Sequence, residues 1–250
     1  MTARLALVTG GSRGIGRCTA EILLARGHAV VITGRDPERL EKAAAELGGD
    51  VRTLAMDAAD VAGTATSFAE VAPDILVANA GVGYSGTVAS TPLTDWDDVI
   101  ATNVTSAFVA IKAVLPHMLE AGWGRIVTVG SMAAHVPIRY GIAYTASKHA
   151  LWGLTRAVSV ECRKKGVTAN MVAPAFVRTD MTRANAELLG GPIEEAEAKL
   201  GALSTWGRLI EPEEVAEQIC RFTGPEADGI TGTSVTMGFD STLDTDPLTV

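Results

Sequence analysis

Positive charge is scarce in this sequence. It has 21 Lys and Arg against 29 Asp and Glu, a formal net charge of -8 over 250 residues. Such a balance leaves no cationic footprint for nucleic acid or for an anionic membrane surface, so neither is expected as a partner. Cysteine is equally sparse. Cys18, Cys162 and Cys220 are odd in number, far apart and without CxxC spacing, which excludes a disulfide framework and a zinc site. No metal is predicted, and a reducing cytoplasmic setting fits best. Long apolar runs are missing too. The run leading to Gly10 is stopped by glycine before it could form a signal-peptide core, and no other run approaches the length of a bilayer span.

The composition that remains, 47% hydrophobic and 20% charged, is that of a globular protein. A chain of this size can bury a large core, and α/β folds of similar length commonly form one domain. One domain over 1–250 is therefore expected. Short β-branched runs at 5–9, 29–33, 51–56, 75–78, 125–129, 167–172 and 234–237 read as strands, and apolar residues recur at helical spacing in 15–26, 38–47, 96–120, 143–165 and 212–222. Strands such as Leu5-Ala6-Leu7-Val8 are apolar throughout, as expected where helices cover both faces of a parallel sheet. The pattern predicts an α/β fold: a Rossmann-type, doubly wound, three-layer sandwich around a mostly parallel seven-stranded sheet. Ligands in such folds bind beyond the carboxyl ends of the strands. The segment 183–206 stands outside this rhythm and is a candidate substrate lid, while the polar stretch 240–250 reads as an extended tail.

The first strand runs into Thr9-Gly10-Gly11-Ser12-Arg13-Gly14-Ile15-Gly16 and then a helix. Glycines at 10, 14 and 16 let the backbone turn sharply, approach a pyrophosphate and pack the helix against the strand. Free N–H groups at that helix start suit an anion. A glycine triplet alone is an ordinary turn; its place between strand and helix points to a dinucleotide. The second strand ends in Gly34-Arg35-Asp36-Pro37, where an acid favours NAD and a base accommodates the phosphate of NADP. Asp36 precedes Pro37-Glu38 and reads as a helix N-cap. Arg35 and Arg13 then remain to bracket a 2′-phosphate, so NADP(H) is preferred over NAD(H).

Tyr144 and Lys148 are four residues apart in a helical stretch and emerge on one face. A neighbouring ammonium favours phenolate and would lower the tyrosine pKa. By itself the pair reads more readily as a half-buried Tyr beside a surface Lys. Ser131 follows the fifth predicted strand, Asn103 lies within a helical stretch, and Asn79-Ala80-Gly81 closes the fourth strand. Each has a plain structural explanation alone, and their joint location carries the weight.

Taken together, these residues resemble the short-chain dehydrogenase/reductase family, in particular its NADPH-dependent 3-oxoacyl reductase and ketoreductase members, from Thr9 to about Met237. The matching motifs are Thr9-Gly10-xxx-Gly14-x-Gly16, Asn79-Ala80-Gly81, Asn103, Ser131 and Tyr144-xxx-Lys148. The resemblance implies a catalytic tetrad of Asn103, Ser131, Tyr144 and Lys148. Tyr144 would exchange the proton with the substrate oxygen, Ser131 orient that oxygen, Lys148 bind the nicotinamide ribose and depress Tyr144, and Asn103 hold a relay water. It also implies cofactor contacts from Gly10, Ser12, Arg13, Gly14, Ile15, Gly16, Arg35, Asp57, Asn79, Ala80, Gly81, Tyr144, Lys148, Pro174, Val177 and Thr179. Asp57 would meet the adenine edge and Thr179 the carboxamide. A homotetramer or homodimer is implied, paired through the helices holding Asn103 and Tyr144. Three positions depart from the family pattern: Ala78, Ala175 and Gly238-Phe239-Asp240. The last puts the C-terminal packing in question.

His135, shortly after Ser131, could line the substrate pocket, whereas His28, His117 and His149 lack metal-ligand spacing. Trp96, Trp123, Trp152 and Trp206 read as packing anchors, and Arg163-Lys164-Lys165 as charges complementing a helix end or greeting an acidic carrier. The expected activity is reduction of a small 3-oxoacyl-type or compact cyclic ketone by NADPH. An NAD-dependent alcohol dehydrogenase using Asp36 is one alternative, and a catalytically silent nucleotide-binding scaffold or sensor is another.

Overall fold

The computed structural model describes residues 3–58 and 60–240. Seven strands form a single sheet: β1 Leu5–Val8, β2 Ala29–Gly34, β3 Val51–Ala55, β4 Ile75–Ala78, β5 Gly124–Val129, β6 Val167–Pro174 and β7 Ser234–Met237. Their order is β3-β2-β1-β4-β5-β6-β7, and every pairing is parallel. The chain reverses its winding between β1 and β4, which opens a crevice at their carboxyl ends.

Helices cover both faces. On one side lie α1 Gly14–Ala25, α2 Pro37–Leu47 and α9 Pro212–Arg221, with α1 packed on β1, β2 and α9. On the other lie α3 Val61–Val71, α5 Ser106–Ala121 and α6 Ile142–Glu161, with α5 packed on β4, β5 and α3. The alternation of side chains along each strand explains why these strands are apolar at every position. Ala6, Val8, Val30, Ile32, Ile75 and Val77 enter the core beneath α1 and α9. Leu7, Val31 and Leu76, the residues between them, enter the core beneath α3 and α5.

Local signals set the ends. Asp36 accepts from Arg39 N at 3.1 Å and Pro37 opens α2, so the predicted cap is observed. Glu211 and Glu214 form a capping box with Pro212 at the start of α9. Gly122, at φ 64°, stops α5.

Three sequence expectations need correction. The helix anticipated over 96–120 begins at Leu93, as α4 Leu93–Ile100, and is widened by a π-helical turn, Ala101–Thr105, before α5. The continuous helix Leu93–Ala121 reaches a mean hydropathy of 1.6 over 18 residues, so one run is long and apolar enough for a span. It serves instead as a layer helix on β4 and β5, its apolar character matching that burial. The segment 183–206, expected outside the strand–helix rhythm, is mostly helical: α7 Asp180–Leu189 and α8 Ile193–Ala202 pack on each other around Ala186, Ala196 and Leu200. α3, which alternation of strands did not locate, is anchored by Phe68; the tail from 241 onward lies outside the described residues.

Phe68 is 2% exposed and Val61, on the same helix, 46%. Phe68→Ala is expected to lower the unfolding free energy by about 3–5 kcal/mol, while Val61→Ala stays within about 0.5 kcal/mol, both read by urea denaturation.

Candidate active site

At the carboxyl edge of the sheet lies one cavity of about 500 Å³, a size typical of small-molecule sites. One end is built from the β1–α1 loop. Gly10 and Gly14 have φ of 67° and 52°, conformations that a side chain would strain. A Cβ at Gly10 would lie 3.0 Å from Asn79 Nδ2. Ser12, Arg13, Gly14 and Ile15 line this wall, joined by Arg35 from the end of β2 and Asp57 beyond β3. Gly16 does not reach the cavity. Its Cβ would stand 2.4 Å from Gly10 O, so it is the close-packing position of α1 against the turn rather than a contact surface. A dinucleotide fits a cavity with this glycine-lined entrance at the amino end of α1.

The β1–β4 crevice is tied by Thr9 and Asn79. Thr9 Oγ1 accepts from the backbone N–H of Asn79 and of Ala80, each at 3.0 Å. Asn79 Nδ2 donates to Thr9 O at 2.9 Å and to Gly10 O at 3.2 Å. Asn79, Ala80 and Gly81 line the cavity, as do Pro174, Val177 and Thr179.

Ser131, Tyr144 and Lys148 line the other end. Ser131 follows β5 and caps a short 3₁₀ turn, accepting from Ala133 N at 3.2 Å. Tyr144 and Lys148 occupy the first turns of α6 on one face. Lys148 is 4% exposed and donates from Nζ to Val129 O at 2.9 Å. Burial holds its ammonium down to about 8. Its Nζ lies 5.6 Å from the centre of the Tyr144 ring. The expected depression of Tyr144 is not observed in this structure. Burial pushes the phenol up, and the Ser131 hydroxyl only opposes that push.

Asn103 is buried behind the cavity wall, inside the π-helical turn. Its Oδ1 accepts from Val82 N at 2.8 Å, and its Nδ2 donates to Val82 O at 2.9 Å and to Ser147 Oγ at 3.0 Å. Both amide hydrogens are therefore committed to protein partners. Ser147, which donates in turn to Tyr144 O at 2.7 Å, is a positioning residue that sequence reasoning missed. A serine next to Lys148 has no signal of its own in one sequence.

Other candidates fall away. His135 bonds Ser234 Oγ at 2.8 Å and packs beside Trp152 and Phe239, away from the cavity. The Gly238-Phe239 departure thus helps to pack the C-terminal strand. His28 accepts from Arg4 N at 3.2 Å, and no group of three metal-ligating side chains exists among the described residues. Trp123 lies between Arg4 and Arg125, as a packing anchor. Arg163-Lys164-Lys165 follows the far end of α6, roughly 25 Å along the helix from Tyr144 at 1.5 Å per residue. A carrier docked there would not face the cavity.

A family model described as short chain dehydrogenase matches residues 4–188. The chain belongs to the short-chain dehydrogenase family. It is 35% identical over 236 residues to the 3-oxoacyl-[acyl-carrier-protein] reductase FabG of Salmonella typhimurium, covering 92% of this chain and 93% of that one. A single-residue variant of the actinorhodin polyketide ketoreductase, solved with NADPH, superposes with a TM-score of 0.90 at 33% identity, covering 94% and 96% of the two chains. The aldohexose dehydrogenase of Thermoplasma acidophilum superposes with a TM-score of 0.85 at 27% identity, covering 94% and 92%. This short-chain dehydrogenase is thus an oxidoreductase that uses a nicotinamide dinucleotide on small molecules.

Asp36 faces its own helix as a cap. Asp36→Ala is expected to cost about 1 kcal/mol of stability without weakening NADH, checked by thermal melting and fluorescence titration. A loss of NADH affinity would instead make Asp36 a ribose ligand.

Proposed function

We propose that this protein reduces a 3-oxoacyl-type or compact cyclic ketone with NADPH, using Tyr144 as the proton donor. The reading rests on one observation: Ser131, Tyr144 and Lys148 line the same cavity as the glycine-rich loop and Arg35. The FabG relative, a 3-oxoacyl reductase, and the actinorhodin ketoreductase, solved with NADPH, support the ketone and the cofactor.

When bound, the dinucleotide supplies the hydride. The chain's own residues handle the proton and the oxygen. Gly10, Ser12, Gly14, Ile15 and Asn79 would hold the diphosphate and its riboses, Arg35 and Arg13 the 2′-phosphate, Asp57 the adenine, and Ala80, Gly81, Pro174, Val177 and Thr179 the nicotinamide end. Ser131 orients the carbonyl oxygen by hydrogen bonding. The Tyr144 phenol gives its proton to that oxygen in reduction and takes it back in oxidation. Lys148, buried and cationic below pH about 8, stabilises the phenolate left behind and binds the nicotinamide ribose. Asn103 holds the Val82 backbone and, through Ser147, the first turn of α6; a relay water against it would return the proton to solvent.

We read 1–250 as one domain in which α7 lines the cavity and α8 packs behind α7. Exposed Phe108 and Val160, on α5 and α6, support pairing into a homodimer or homotetramer. Free Cys18, Cys162 and Cys220 suit a cytoplasmic setting.

Tyr144→Phe is expected to lower turnover at least about 100-fold while leaving cofactor affinity intact; a preserved output would favour a sensor. In the intact protein Tyr144 keeps its proton to high pH, so ketone reduction should stay level below pH about 8 and fall above it, as Lys148 loses its charge. Arg35→Ala should raise the Kd of NADPH about fivefold and leave NADH unchanged, as measured by titration with each dinucleotide.

A further inference from the structure

Arg13 and Arg35 do not stand in equivalent electrostatic settings. Arg35 has no ion-pair partner among the described residues, whereas Arg13 Nη1 meets Asp180 Oδ2 at 2.5 Å. That contact crosses the cavity. Arg13 is the N-cap of α1, and Asp180 is the first residue of α7, directly after Thr179, whose Cγ2 faces Gly14. Asp57 and Asp180 are the two carboxylates that line the cavity among the described residues. The β1–α1 loop also abuts the end of β2: a Cβ at Gly34 would lie 3.6 Å from Ser12 Oγ. A phosphate carried on the ribose at the β2 end would therefore approach Arg35 and the Arg13 segment together.

We propose that Asp180 is a specificity-determining residue that competes with the 2′-phosphate of NADP(H) for Arg13, and so moderates the preference for NADP(H) over NAD(H). The inference rests on the NADP(H) reading above. A guanidinium already paired with a carboxylate must exchange one anionic partner for another, and the displaced Asp180 then faces a phosphate dianion across the same cleft. NADH carries no phosphate there and forces no such exchange. The pair is exposed, at 58% and 67% of the two side chains, so the competition is a modest tuning rather than an exclusion. Asp180 touches neither the proton-transfer groups nor, by this account, the nicotinamide.

Dissociation constants for NADPH and NADH, titrated by fluorescence on the full chain, test this in wild type, Asp180→Asn, Arg13→Ala and the double variant. Asp180→Asn keeps a helix-starting residue, and thermal melting checks its fold. NADPH is expected to tighten about two- to fivefold in Asp180→Asn, NADH to change less, and the gain to vanish when Arg13 is absent. High salt should shrink the gain. Weaker NADPH binding, an equal shift for both dinucleotides, or a gain that persists in the Arg13→Ala background would each overturn the role of Asp180, with the NADP(H) reading intact. A wild-type protein that binds NADH more tightly than NADPH would overturn that reading and this inference with it.

Discussion

The reversal of winding between β1 and β4 leaves two strand ends diverging, and the hydrogen bonds between Thr9 and Asn79 close that gap. The strand pairing ends with Thr9 N–H on Val77 O, and beyond it Ala80 N–H and the carbonyls of Thr9 and Gly10 find their partners in side chains. Thr9 Oγ1 serves two N–H groups of the β4 end, while Asn79 Nδ2 serves two carbonyls of the β1 end. The exchange is reciprocal and satisfies both sides. It also fixes the β1–α1 loop, since Gly10 O is one of those acceptors and Gly16 packs directly on it. The cavity floor is therefore set by backbone satisfaction, before any ligand contributes.

At the other end a different constraint operates. Lys148 is buried, and its ammonium donates to Val129 O. Removing an ammonium from water disfavours its charge, which is why its pKa falls toward 8. The same burial raises Tyr144. The two shifts oppose ionisation in both groups and keep the phenol protonated. Spacing in the sequence suggested only the Coulombic half of this balance. Desolvation, which here prevails over the Ser131 hydrogen bond, depends on the walls contributed by distant segments.

Much of the fold was legible because its determinants are local and repetitive. All seven strands were found where apolar, β-branched runs lie, and the cap at Asp36 followed from Pro37 and Glu38. α3 was not found, since its Gly63 and two threonines give it little helical periodicity beyond the anchoring Phe68. The π-helical turn at Asn103 was likewise invisible. An amide within a helical pattern is ordinarily indifferent, and its bonds to Val82 and Ser147 join residues 21 and 44 positions away. Most of the residues expected at the cofactor do line the cavity, a placement readable from loop chemistry and family resemblance. Gly16 and His135 show the limit: whether a residue faces the cavity or the packing beside it is decided by tertiary contacts.

The segment expected as a substrate lid turns its apolar residues elsewhere: Ala186, Ala196 and Leu200 close on one another and on Leu209, with Phe176, Ile193 and Leu203 around them. From α7, the side chains that line the cavity are instead Asp180, Met181, Thr182 and Asn185. A pair of short helices must bury one face to persist, so most of its apolar residues are consumed in its own core. What remains for a ligand is a mostly polar strip, in a cavity that Tyr84 and Ile138 also line. Of that strip Asp180 is engaged by Arg13, which leaves Met181, Thr182 and Asn185 beside walls drawn from several other segments. Side chains there can change without touching Ser131, which follows a strand end, or Tyr144 and Lys148, which stand on α6.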